Sequence, residues 1–276
     1  MPSAVGRRLM FASMLLGAVL NLAVAAAPSW PALLTARLLE GLALGGVPAV
    51  AMAHLAGEME PRDLGRVMGL YVAGTAFGGM MGRVTAGALA DLWSWRMAME
   101  TRGPLSMVSA VAFARLLPPA RQEITRPGAG LRHHLAIWTG LVRHRDLRRM
   151  LVTAFLLMSV FVSLFNYVGY RLASQPYRLS ETAIGLVSLT YVFGMVGSSM
   201  TGWLIDRLGS RGALLAGLAA LEGGVVITLF PPLPVILVGV GLATAGFFAA
   251  HLVASGAVGR DSGAGKGQAA ALYLLF

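Results

Sequence analysis

The sequence has no cysteine, a single lysine and only 12 acidic residues among 276. Without cysteine there are no disulfides, no thiolate nucleophile and no cysteine-ligated metal. Charged residues make up 12% of the chain, about half the roughly 25% of a soluble domain, which argues against an ordinary water-soluble enzyme. An H-E-x-x-H zinc helix, a G-x-S-x-G nucleophile elbow and a glycine-rich phosphate loop are also missing from the sequence, so it offers no hydrolytic or ATP-driven site. Of the five histidines, neither His54 nor His251 has a metal-ligand cluster nearby in sequence. No enzyme activity, metal or cofactor is expected.

What the chain has is apolar mass. Hydrophobic residues make up 57%, with 35 Gly and 15 Met, and the mean hydropathy is +0.72. A chain of this size has too little polar residue to cover such a core in water. A bilayer-spanning helix needs about 20 mainly apolar residues, and eight such runs occur, at about 9 to 27, 31 to 54, 66 to 90, 97 to 117, 150 to 171, 182 to 205, 212 to 230 and 234 to 257, with a ninth begun at 268. The links Pro28 to Pro31 and Pro231 to Pro234 are short, proline-bounded helical hairpins, so the runs they join are antiparallel. The predicted fold class is all-α, a polytopic transmembrane helical bundle.

The formal charge of +10 is then read from its placement. If the N-terminus is cytoplasmic, the inner loops collect Arg7, Arg8, Arg62, Arg66, Arg207, Arg211, Arg260, Lys266 and seven arginines from Arg121 to Arg149, while the outer side receives only Arg96, Arg102, Arg171 and Arg178. This asymmetry follows the positive-inside rule. The charges set topology, and no folded basic segment with stacking aromatics exists to bind nucleic acid. Arg7, Arg8, the first apolar run and Ala25 to Ala27 imitate a secretory signal peptide. That run, however, exceeds the roughly 7 to 15 residues of a signal core, and seven more follow it.

Shifting the sequence by 203 positions lays Gly6 on Gly209, Arg8 on Arg211, Pro28 on Pro231 and Pro31 on Pro234. The first run thus pairs with the seventh and the second with the eighth, a repeat six helices long. Parallel six-helix repeats characterise one large transporter architecture. The expected domains are residues 1–117, a basic cytoplasmic connector at 118–149, and 150–276.

The loop after the sixth run reads Gly202-Trp-Leu-Ile-Asp206-Arg207-Leu-Gly209-Ser-Arg211. It resembles the G-x-L-x-D-R-x-G-x-R signature of the major facilitator superfamily. Physically, Gly202 is expected to let helices approach, and Asp206, Arg207 and Arg211 to cap or bridge helix ends in contacts that break when the halves rock. The alternative is a solvated turn that only sets topology. Arg37-Leu-Leu-Glu40-Gly41 looks like the family's fourth-helix R-x-x-Q-G motif, common in proton-coupled members, with Glu for Gln. Residues three apart share a helix face, so Arg37 and Glu40 are expected to pair and to offset part of the roughly 2.5 to 3.5 kcal/mol that each charge costs near mid-bilayer. The bland alternative is a structural pair whose heads snorkel to the interface.

The third run resembles the family's fifth-helix antiporter motif at Gly74, Gly78, Gly82 and Gly87, a packing stripe of small residues. Arg83 stands where that motif has proline, and it either contacts an anionic substrate or pairs with another helix. By the resemblance, Asn166, Tyr167, Phe247 and His251 border a central substrate cavity. Tyr170, near a helix end, reads as an interfacial anchor before a substrate contact, and Glu222 as paired with a neighbour.

The resemblance implies a six-plus-six helix transporter of which the visible runs match helices three to ten, with helices 1, 2 and 12 missing. The implied function is secondary transport of a small solute, as proton-coupled efflux by alternating access. The proton gradient supplies the energy, and the expected partners are the solute and the lipid bilayer. The alternative is a non-transporting fragment or degraded-gene product of such a transporter. The 21 arginines against one lysine suggest a GC-rich bacterial genome and hence an inner membrane.

Overall fold

The computed structural model describes residues 3–59, 61–117, 139 and 145–261, and every regular element among them is helical. α1 covers Ser3–Ala25, α2 Trp30–Gly45, α3 Val47–Glu58, α4 Pro61–Leu92 and α5 Trp95–Leu116. After the connector come α6 (Arg145–Ala173), α7 (Glu181–Leu186), a 3-10 turn (Val187–Thr190), α8 (Tyr191–Ile227) and α9 (Leu233–Asp261). Most of the expected connector, and the run begun at 268, lie outside the described residues. α6 starts at Arg145, ahead of the expected 150.

Polar residues mark where helices begin. Ser29 and Ser94, both extended, accept bonds from the backbone N–H of Ala32 and Met97, and Ser180 does the same for Ala183. Such caps satisfy N–H groups that have no partner within the helix. The expected span 31 to 54 is two helices, with Gly46 between them. Pro48, in the first turn of α3, has no N–H to donate to Leu44, so a continuous helix would lack that bond.

α8 resolves the sixth and seventh runs. Gly209 sits at φ 70°, ψ 167° inside it, a backbone region open essentially to glycine alone. A Cβ built on Gly197 would lie 2.5 Å from the Ala245 carbonyl oxygen, and one on Gly246 would lie 2.4 Å from Leu221 N. Gly197 and Leu221, 24 positions apart, therefore flank the same stretch of α9, whereas a straight helix would separate them by about 36 Å. The chain reverses at Gly209, and α8 consists of two arms.

The repeat survives in the element boundaries. α2 begins at Trp30 and α9 at Leu233, 203 positions apart. Among the described residues, four helical stretches are long and apolar enough to cross a membrane: Gly6–Ala25, Arg148–Ala173, Glu181–Ile227 and Leu233–Gly256. The third is 47 residues long, about 70 Å of helix against a hydrocarbon core of about 30 Å, as two passes require. The outward faces are apolar, with Leu42 71%, Leu70 75% and Val238 63% exposed. Patches of this kind need lipid rather than water as solvent.

The chain divides into two compact units. One takes Met1–Val72 and, from Ala88 onward, the end of α4 with α5; the other takes Ala73–Gly87 and α6 through α9. In the first, α1 packs on α5 and α2. Leu22 fills the space over Gly103 and Leu44 that over Gly17, with Met10, Ala18, Val24, Ala98 and Ala110 buried. In the second, the core runs through Leu157, Phe161, Leu164, Val168, Tyr191, Leu221, Ile236 and Phe247.

Candidate functional site

The first unit holds a partly buried charge centre. Arg37 Nη1 donates to Glu40 Oε2 at 2.8 Å, the pair expected from the spacing on α2. Glu40 is the less exposed partner, with 14% of its side chain accessible against 38% for Arg37. Two further groups complete the centre. Asn21 Nδ2 of α1 donates to Glu40 Oε1 at 3.2 Å, and Arg37 Nη2 lies 2.8 Å from Met99 Sδ of α5. Asn21 is buried, and its Oδ1 has no hydrogen-bond partner among the described residues. Sequence reasoning missed Asn21, because a lone amide in an apolar run carries no spacing signal. The Glu40 carboxylate is thus held by a cation on one oxygen and an amide donor on the other, bonds of the charge-assisted kind.

The same unit carries a recess of about 450 Å³ lined by Ala27, Pro28, Ser29, Trp30, Leu33, Trp95 and Arg96. It borders the α1–α2 hairpin and contains neither Arg37 nor Glu40. Arg96 Nη1 is already committed there, donating to the carbonyls of Ala25 at 2.8 Å and Ala27 at 3.2 Å.

The second unit centres on Arg83. Its guanidinium carbon lies 5.3 Å from the Phe165 ring centroid, and the head stands beside the Tyr191 hydroxyl. These rings continue inward. Phe161 meets Phe165 at 5.0 Å and Tyr191 at 5.6 Å and stacks on Phe247 at 4.0 Å, and Phe247 stacks on His251 at 5.5 Å. Phe247 and His251 share a face, as expected. Phe247, however, is 3% exposed and forms part of the hydrophobic core rather than a cavity lining. Asn166 and Tyr167 are exposed, on the side of α6 away from Phe161, Phe165 and Val168. Arg83's actual neighbours, Phe165 and Tyr191, were hidden in sequence because large apolar residues occur throughout both runs.

Of Gly74, Gly78 and Gly87, Gly87 alone makes a tight helix crossing among the described residues. A Cβ there would fall 2.2 Å from the Glu181 carbonyl oxygen, and one on Gly185 would fall 2.9 Å from that of Arg83. Among the described residues nothing lies within 4 Å of a Cβ placed on Gly74 or Gly78, while Gly82 accepts a hydrogen bond from Thr85 Oγ1 at 3.4 Å. The decapeptide behaves similarly. A Cβ on Gly202 meets no described atom within 4 Å, so no described helix makes the close approach expected there. Asp206, Arg207 and Arg211 are exposed, and Arg207 lies over the Trp203 ring at 4.7 Å. Neither Asp206 nor Arg211 has an ion-pair partner among the described residues. Glu222 is likewise exposed and unpaired among them, contrary to the expected pairing.

Residues 5–276 match the model of the Major Facilitator Superfamily. The chain belongs to that superfamily. Its relatives include an uncharacterized MFS-type transporter, YybF, from Bacillus subtilis strain 168, 38% identical over 98% of this chain and 67% of that protein. The inner membrane transport protein YnfM of Escherichia coli K12 is 37% identical over 99% of this chain and 65% of YnfM. A crystal structure of a bacterial homologue of the human lysosomal transporter Spinster superposes with a TM-score of 0.66 at 15% identity, over 99% of this chain and 65% of that one. The chain thus spans about two thirds of the length of these relatives. It is a membrane-spanning helical bundle of a family of transporters, not of enzymes.

Proposed function

We propose that this major facilitator chain serves secondary transport of a small solute across the plasma membrane, proton-coupled and in the export direction, by alternating access between its two helical repeats. The observation that carries the reading is the Arg37–Glu40 pair with its Asn21 donor. A charged group inside a span is a functional group by default, and a carboxylate held by two breakable bonds is suited to exchange a proton when those bonds change. Asp206, Arg207 and Arg211 serve as contacts made in one conformation and released in another, which fits their lack of fixed ion pairs among the described residues. The N-terminus lies in the cytoplasm, in keeping with the arginine distribution.

The test uses proteoliposomes with a trapped pH dye, an imposed pH gradient and three probes that differ in permanent charge: benzenesulfonate, phenyl glucoside and benzyltrimethylammonium. The chain moves protons in response to at least one probe. Glu40→Gln abolishes that proton movement while gradient-free probe exchange persists. Equal proton coupling in Glu40→Gln and the parent would overturn the proton assignment.

A further inference from the structure

Arg37 and Arg83 both fall within apolar runs, and the protein treats them differently. Arg37 has its carboxylate three residues away, at 2.8 Å. Arg83 has none. Its described contacts are the Phe165 ring and the Tyr191 hydroxyl, and no carboxylate stands within ion-pair distance of it among the described residues. Glu181, at the start of α7, and Asp206 and Glu222 on α8 are exposed acids of the same unit. A ring face attracts a guanidinium but accepts none of the five N–H groups at its edge. Tyr191 offers one acceptor oxygen, so most of that hydrogen-bonding capacity remains for another partner.

The support beneath Arg83 is rigid. The Arg83 carbonyl and Gly87 lie in backbone contact with α7, where neither Gly185 nor Gly87 leaves room for a side chain. Phe165 and Tyr191 are themselves buried against Phe161 and pack edge to face at 5.1 Å. Arg83 is partly buried, and a cation held on packed rings and partly shielded from water binds an anion more strongly than a fully solvated one does. We propose that Arg83 is the anchor for the solute and that the solute is an organic anion, its charged oxygens bonded to the Arg83 guanidinium. This rests on the transport reading and gives it a substrate class.

The experiment measures equilibrium binding of benzenesulfonate, phenyl glucoside and benzyltrimethylammonium to the detergent-solubilised chain through its tryptophan fluorescence. The anion binds at least about tenfold more tightly than the neutral probe, and the cation most weakly. Arg83→Gln removes that advantage, so that anion and neutral probe bind alike, whereas Arg83→Lys retains the order of preference at lower affinity. The order in the unsubstituted chain is decisive even if Arg83→Gln fails to fold. Preference for the neutral or cationic probe, or undiminished anion binding by a folded Arg83→Gln, overturns the proposal. A chain that binds the anion through Arg83 yet moves no proton overturns the proton-coupling reading alone. One that couples protons to phenyl glucoside or the cation overturns the anion assignment alone.

Discussion

Asn21 of α1 donates its side-chain amide to Glu40 of α2 at 3.2 Å, so the only acid in the first helical hairpin is held by both of its helices. The bond is specific for an amide. Asn21→Asp is close in shape but sets a second carboxylate against Glu40, and two adjacent carboxylates do not both ionise without cost. The variant melts below the parent at neutral pH. The deficit shrinks as pH falls, because protonating either carboxylate ends the repulsion and the acid-side stability is recovered. A deficit that stays constant from pH 8 to pH 5 would remove the contact from consideration.

The glycine stripe of α4 separates packing from pattern. Gly87→Ala drives a methyl into the Glu181 carbonyl, and overpacking of this kind costs about 1 to 3 kcal/mol. Gly78→Ala meets open space among the described residues and, as a helix-interior glycine replaced by alanine, gains roughly 0.5 to 1 kcal/mol. Thermal melts in detergent should place the two variants on opposite sides of the parent, and equal shifts would refute the crossing.

Much of the fold was legible because a bilayer imposes length. Runs of about 20 apolar residues map onto helices, and the 203-residue repeat predicts the starts of α2 and α9 from one another. The Arg37–Glu40 pair was legible because three residues is a helical neighbour distance. Contacts between distant runs were not legible. Asn21, Phe165 and Tyr191 meet their partners through tertiary packing, and in runs that are apolar all round no periodic contrast marks the buried face. The gap at Gly46 was readable from Pro48, since a proline two residues beyond a glycine is a stop signal even within a long apolar run. The glycine motifs show the limit of spacing: it identifies small residues, and only the neighbouring helix decides which of them is crossed.

Within the decapeptide, the two glycines should behave differently. Gly209 holds a positive φ, so Gly209→Ala strains the reversal of α8 by about 1 to 3 kcal/mol and lowers the melting temperature. Gly202→Ala has room and leaves the melt unchanged or slightly raised. If Gly202→Ala also slows probe exchange in proteoliposomes, its role lies in the conformational change rather than in this packed state. A Gly209→Ala variant as stable as the parent would show that the reversal does not depend on glycine.

Two arginines from different helices finish the two repeated hairpins at the same place. Arg96 of α5 donates to the carbonyls of Ala25 and Ala27, and Arg171 of α6 donates to those of Thr228 and Leu229. Ala25 and Thr228 are 203 positions apart, the repeat distance. Carbonyls at a helix C-terminus have no partner within the helix, and inside or near a bilayer water is a poor substitute. Aromatic rings steady both arginines, Trp95 at 4.5 Å from Arg96 and Tyr177 at 5.8 Å from Arg171, and Tyr177 also donates its hydroxyl to the Pro231 carbonyl. Arg96→Met and Arg171→Met keep the apolar stem and lose the charged donor, so each should destabilise by about 1.5 to 3 kcal/mol. Arg178→Met, whose side chain has no hydrogen-bond partner among the described residues, should change stability by less than about 0.5 kcal/mol. Denaturant melts of the three variants decide the matter. If Arg96→Met and Arg171→Met unfold with the Arg178→Met control, the clamps contribute nothing and the hairpins are held by their prolines and apolar packing alone.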